Sequence, residues 1–393
     1  MKVADASVSR GRAANEENRM HSSPCRQRAK PGVSSGRAVR AILLAGLALV
    51  CLAPPAVAAP APVSYKIVTA SERGTYIQIG RDLARFVAPQ AGIELESLPS
   101  KGSSDNVNRL RYDTGVKLAI VQSDVYQAFL DYAAAGNANA AMLIRPLRVV
   151  LPLYDEEIYF VVRADSPLQF VHEIKGQKIN IGPLQSGTAM SASTIYRLMF
   201  KEAIPDALVS TLSNEDALIK LSTDKSIDVV VIVAGQPAKL LADMKPEAKQ
   251  FIRLLKVDAA NPATGAALTT YVRATIRTAS YPNWLEQDVN AFAVKAYLVT
   301  YDYMYRDTVD HLAQFGRSLC ENFAVLQTEG HPKWRDVDLS LPPLARGWTY
   351  YKPMERALRN CTPATAAVPR VDPASAPTAC TQQARILGLC SPP

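Results

Sequence analysis

Short apolar runs alternate with stretches of helical spacing along the first third of the chain. Residues 65–70 read as a strand, after which Ile79, Leu83, Phe86 and Val87 recur at helical spacing. Residues 93–97 predict a second strand, followed by a helix carrying Val107 and Leu110 that Ser103 and Ser104 can cap. Residues 117–122 form a third predicted strand, leading into a helix over 124–135. Strands alternating with helices predict an α/β fold with a mainly parallel sheet covered on both faces.

Two extended runs, 149–153 and 158–162, lie close together and read as a crossing between two lobes. The alternation restarts with a strand over 178–181 and a helix bearing Ala192, Ile195 and Met199. A helix over 216–222, a strand over 227–233 and the turn Ala234-Gly235-Gln236-Pro237 follow. Residues 268–278 read as an extended return to the first lobe, and 284–296 and 303–319 as helices. The last thirty residues are rich in Pro and Ala and read as an extended tail.

One phrase occurs twice in this pattern. Arg73-Gly74-Thr75-Tyr76 and Gln185-Ser186-Gly187-Thr188 each follow an apolar run and open a segment of helical spacing. Such turns leave backbone N–H groups unpaired in front of the positive end of a helix dipole, a site suited to a carboxylate or phosphate. A third turn, Lys101-Gly102-Ser103-Ser104-Asp105-Asn106, has the same setting. Turns at the carboxyl ends of strands converge where open α/β sheets bind ligands. Each turn read alone is also an ordinary helix cap, and neither GxGxxG nor GxxxxGK[ST] is present. Gln122 and Ser123 end a strand and reach the same cleft or cap the next helix. Arg73 and Lys101 are candidate charge partners for an anion; Tyr76 and Tyr154 either wall a ligand or belong to the core.

Charge narrows the class. The net charge is +8, but residues 1–58 hold nine Lys/Arg against three Asp/Glu, which leaves the remainder near +2. The basic character belongs to the leader, and nucleic-acid binding is not expected. Arg37 and Arg40, an apolar run over 41–53 and a small-residue Ala-x-Ala site at 56–58 predict a secretory signal peptide and a periplasmic destination. The apolar run is short for a membrane span. Leu49 and Val50 ahead of Cys51 are bulkier than a lipid-attachment site usually tolerates. Cleavage would leave Cys320, Cys361, Cys380 and Cys390 in a compartment that permits disulfides. Four cysteines allow three pairings; Cys320–Cys361 with Cys380–Cys390 closes the shorter loops, and no CxxC spacing supports a metal.

Catalytic readings find little. His172, His311 and His331 are scattered, no GxSxG is present, and Glu156 and Glu157 face opposite sides of any strand. No enzyme, metal or cofactor is expected.

Five motifs keep a recognisable order. Ser71-Glu72-Arg73-Gly74-Thr75-Tyr76, the 101–106 turn, Ala119-Ile120-Val121-Gln122-Ser123-Asp124, the stretch 159–166 and the stretch 181–188 together resemble the TAXI-type solute receptors of TRAP transporters. The resemblance covers about residues 64–320, more weakly to 355. It implies a type II periplasmic-binding-protein fold, two α/β lobes joined by extended hinge segments. The implied division is a signal peptide over 1–58, first lobe over 59–153, second lobe over 154–265, a return to the first lobe over 266–355 and an extension over 356–393. It also implies a monomeric receptor, a TRAP permease partner driven by an ion gradient, and organic-acid ligands, glutamate-like amino acids and dicarboxylates among them. Matching positions put Gly74, Thr75, Tyr76, Ser103, Ser104, Asn106, Gln122, Ser186, Gly187 and Thr188 at the ligand. Glu72-Arg73, the Ala234-Gly235-Gln236-Pro237 turn and the extension past 355 depart from the family pattern. A sensory module presenting the solute to a membrane kinase is the rival reading.

Overall fold

The computed structural model describes residues 61–361. The predicted leader and the tail with Cys380 and Cys390 lie outside them.

In chain order the strands are β1 (Val63–Val68), β2 (Ile93–Leu98), β3 (Val116–Gln122), β4 (Leu147–Arg163), β5 (Ile179–Asn180), β6 (Val209–Ser210), β7 (Val229–Ala234), β8 (Ile252–Leu254), β9 (Val272–Ile276) and β10 (Val289–Tyr301). The helices are α1 (Thr75–Asp82), α2 (Ser103–Tyr112), α3 (Ser123–Ala134), α4 (Ala138–Ile144), α5 (Gly187–Phe200), α6 (Asn214–Ser222), α7 (Lys239–Ala242), α8 (Pro262–Ala267), α9 (Arg306–Glu321), α10 (Phe323–Glu329) and α11 (Lys352–Arg359). Neighbouring strands run β2-β1-β3-β10-β4-β7-β5-β6, with β8 beside β4 and β9 beside β10.

The fold is α/β, with two lobes linked by extended strands. In the first lobe β2, β1 and β3 are parallel, and in the second β6, β5 and β7 are parallel. β4 and β10 run antiparallel to each other and belong to both lobes. Each is continuous, so a bend in this pair moves one lobe against the other. Their register shifts between Lys295 and Tyr297, opposite Tyr154, where the chain passes from lobe to lobe.

Side-chain alternation along β4 divides the second lobe's core. Ile158, Phe160 and Val162 join the cluster on one face, Tyr159 and Val161 the cluster on the other. The first lobe has its own cluster, drawing Ile67, Val121 and Leu151 together with Phe315 and Trp334 from the C-terminal part.

Three sequence expectations fail here. The sheet is mixed rather than mainly parallel, because the crossing strands β4 and β10 run antiparallel to all their neighbours. Residues 284–296 read as a helix, yet 289–301 form β10. Ala, Lys and Leu in this stretch favour helix locally, but β3 and β4 offer ladder partners on both sides, and burial between them outweighs propensity. Residues 268–278 do not return to the first lobe; β9 pairs antiparallel with the start of β10, and β10 makes the return. The extended runs 149–153 and 158–162 are one 17-residue strand. Cys320, near the end of α9, is bonded to Cys361 just after α11, as the short-loop pairing predicts. Among the described residues no helix is long and apolar enough to cross a membrane.

Candidate functional site

The starts of α1 and α5 face one cavity of about 120 Å³ between the lobes. Gly74 precedes α1 in extended conformation, and no side chain caps that helix. The N–H groups of Thr75 and Tyr76 therefore have no acceptor among the described residues, and both residues line the cavity. Across from them, Ser186 caps α5 by accepting a hydrogen bond from Ala189 N at 3.0 Å. Gly187 and Thr188 keep unpaired N–H groups there. Gly182 and Gly102 take positive φ values of 80° and 122°, which lets the two turns approach closely. Arg73 and Lys101 also line the cavity.

The third turn has a different task. Ser104 and Asp105 N–H both donate to the carbonyl of Gln185 at 3.1 Å, so the start of α2 is bound to the opposite lobe. Gln185 holds a positive φ of 69° to present that carbonyl. More bonds join the lobes: Thr75 Oγ1 donates to Gly235 O at 2.6 Å, and Lys101 Nζ to Gln185 Oε1 at 3.1 Å. Ser191 Oγ and Tyr271 OH donate to Asp124 Oδ2 at 2.6 and 2.8 Å. The lobes are thus closed on each other, and burial raises the Asp124 carboxyl above its ordinary range.

A carboxylate sits in this cavity. Glu156, on β4 at the lobe crossing, is 2% exposed and lines the space. Tyr76 OH donates to its Oε2 at 2.6 Å and Gln122 Nε2 to the same oxygen at 3.3 Å. Burial pushes its pKa up to about 8; those two hydrogen bonds oppose the shift, and the charges of Asp124 and Glu157 reinforce it. Oε1 has no hydrogen-bond donor among the described residues. Gln122 Oε1 and Asn214 Oδ1, on two further lining residues, are buried without a partner.

Of the residues expected at a ligand, Gly74, Thr75, Tyr76, Ser103, Gln122, Ser186, Gly187 and Thr188 line the cavity. Ser104 stands in the α2–Gln185 contact. Asn106 Nδ2 donates to Thr69 O at 2.5 Å and Ile120 O at 2.7 Å, stitching α2 to β1 and β3. Sequence reasoning passed over Glu156 and the start of α6 (Ser213, Asn214, Glu215), which also lines the space. The alternation that separates Glu156 from Glu157 was legible; which side faces a cavity was not. Glu157 lies on the other side, where Lys333 Nζ donates to its Oε1 at 2.8 Å.

Residues 67–340 match a family model described as the NMT1-like family. The chain belongs to the NMT1-like family. This NMT1-like chain is also similar to several solved structures. One is a binding-protein component of an ABC phosphonate transporter from Pseudomonas aeruginosa: identity 10%, TM-score 0.44, covering 68% of this chain and 80% of that one. A TctC solute binding protein from Polaromonas shows 13% identity and a TM-score of 0.37, covering 70% and 86%. The periplasmic binding protein BugD shows 10% and 0.44, covering 76% and 93%. At such identities no ligand passes from them to this NMT1-like protein.

Proposed function

We propose that this protein is a periplasmic solute receptor that closes two lobes on a small organic acid, a glutamate-like amino acid or a dicarboxylate, and delivers it to a TRAP-type permease. The observation that carries the reading is the pair of open helix starts, α1 from one lobe and α5 from the other, facing one cavity. A carboxylate held there receives backbone N–H groups and two helix dipoles in a site that closure removes from water. The family membership and the predicted leader agree with an exported receptor. The permease partner rests on the motif resemblance, as does the monomeric state.

A thermal-shift screen of amino acids, dicarboxylates and keto acids tests it. A ligand that binds only the closed fold stabilises by about 2.7 kcal/mol at a hundredfold excess over its Kd. The reading fails if no carboxylate moves the Tm and native mass spectrometry finds no retained acid. Co-purification from membranes tests the partner, since a TRAP permease and a sensor kinase differ grossly in size.

A further inference from the structure

Backbone donors explain how the cavity would hold an acid group, but not why it also contains unsatisfied acceptors. Gln122 Oε1 and Asn214 Oδ1 belong to lining residues and are buried without a donor, and Glu156 Oε1 accepts no hydrogen bond among the described residues. The buried Tyr154 hydroxyl, two residues before Glu156 on β4, also has no partner there. A buried acceptor left unpaired is costly, and once the Glu156 carboxyl gives up its proton its Oε1 also needs a donor, which a dicarboxylate does not bring. A ligand with donors at one end and a carboxylate at the other satisfies both sides. An ammonium has three N–H donors and no acceptor.

We infer that Glu156 and Gln122 form an amine subsite, so that the bound acid is an α-amino acid whose ammonium takes the place of a proton on Glu156. The inference rests on the organic-acid reading above and narrows it to one class.

The proton balance is simple. Without ligand, burial keeps the Glu156 carboxyl protonated at neutral pH, its pKa standing at about 8. The groups around it are Tyr76 from α1, Asp124 from α3, and Tyr154 and Glu157 from β4; none is a cation. Lys333 is already engaged with Glu157 on the other side of the strand. Arg73 and Lys101 line the same cavity but are engaged elsewhere, Arg73 with Asp243 and Lys101 with Gln185 Oε1, both at 3.1 Å, so a ligand ammonium would bring an unengaged positive charge to Glu156. It favours the carboxylate, so the carboxyl proton leaves to solvent while the ammonium keeps all of its own.

Calorimetry on the full chain with matched pairs tests this: L-glutamate with 2-oxoglutarate, L-leucine with 4-methyl-2-oxopentanoate, and L-alanine with pyruvate. Members of a pair differ only at the amine. One amino acid should bind at least about 100-fold more tightly than its keto acid. Its heat, compared at about pH 6.5 in buffers of different ionisation enthalpy, should report release of about one proton per ligand. Glu156→Gln should weaken the amino acid by at least about 100-fold and abolish the proton release. The inference is overturned if a keto acid binds as tightly as its amino acid, if an amino acid binds with no proton released, or if succinate or glutarate binds while no amino acid does. The last result leaves the organic-acid reading standing. If none of these acids binds and the wider thermal-shift screen also finds no carboxylate, both readings fail. The proton count is read on the native protein, so it does not depend on the variant folding.

Discussion

Gly187, the first residue of α5, stands directly against the side-chain amide of Gln122 at the end of β3, and no Cβ fits between them. The contact lies at the seam of the two lobes. A side chain at 187 would have to displace the Gln122 amide, so glycine here serves the closed seam rather than the helix, since φ at 187 is not positive and alanine is the better helix former.

Gly187→Ala therefore separates closing from folding. Each lobe has its own buried cluster, so circular dichroism should be unchanged. The methyl should hold the lobes apart, giving a larger radius of gyration in solution scattering with any bound acid and loss of the ligand-induced rise in Tm. Normal binding by this variant would show that the contact is dispensable.

Glu156 makes ligand-free stability depend on pH. Its pKa in the folded protein, about 8, lies above the unfolded value, so folding favours the protonated form. Its contribution is complete below about pH 4 and is lost as pH rises toward the folded value. The Tm of the ligand-free protein should fall between about pH 5 and 8, by the equivalent of a few kcal/mol. Glu156→Gln should flatten that slope. A variant with the native slope would place the titration elsewhere, Asp124 being the next group to examine.

The buried pair Lys333–Glu157 joins the segment after α10 to β4. Both side chains are nearly inaccessible, and Glu157 also receives N–H and amide donors from Gln236 at 2.9 and 2.8 Å. Lys333→Met leaves a buried carboxylate without its cation and should cost about 3–5 kcal/mol in urea unfolding. The double variant with Glu157→Gln should recover most of this loss. Failure to recover would mean that the lysine acts through packing against Tyr154.

The Cys320–Cys361 bond closes a loop of 41 residues and ties α11 to α9. Cys361→Ser should lower stability by about 2–4 kcal/mol. Neither cysteine lines the interlobe cavity, so affinity for the acid should stay within about twofold of native. A large loss of affinity would implicate this C-terminal helix in closure.

Much of the first lobe was legible because its strands and helices are adjacent in sequence and their periodicity is clean. β1, β2, β3 and α3 begin and end close to the positions that the apolar spacing predicts. β10 was not legible, because an apolar run of its length satisfies either period and the choice depends on ladder partners far away in the chain. The short strands β6 and β8 leave almost no periodic signal.

The sequence by itself determined the alternation of strand and helix, the extended, apolar character of the first crossing, and the Gly/Ser/Thr turns that open α1, α2 and α5. These depend on local conformation and on side-chain period, which neighbouring residues decide. Only the tertiary structure decided which turn donors remain free. The start of α2 is occupied by Gln185 from the other lobe, whereas α1 and α5 stay open toward a common space. It also decided that Glu156 faces that space and Glu157 does not. Burial, and with it the price of an unpaired charge or acceptor, is set by what the rest of the chain brings alongside.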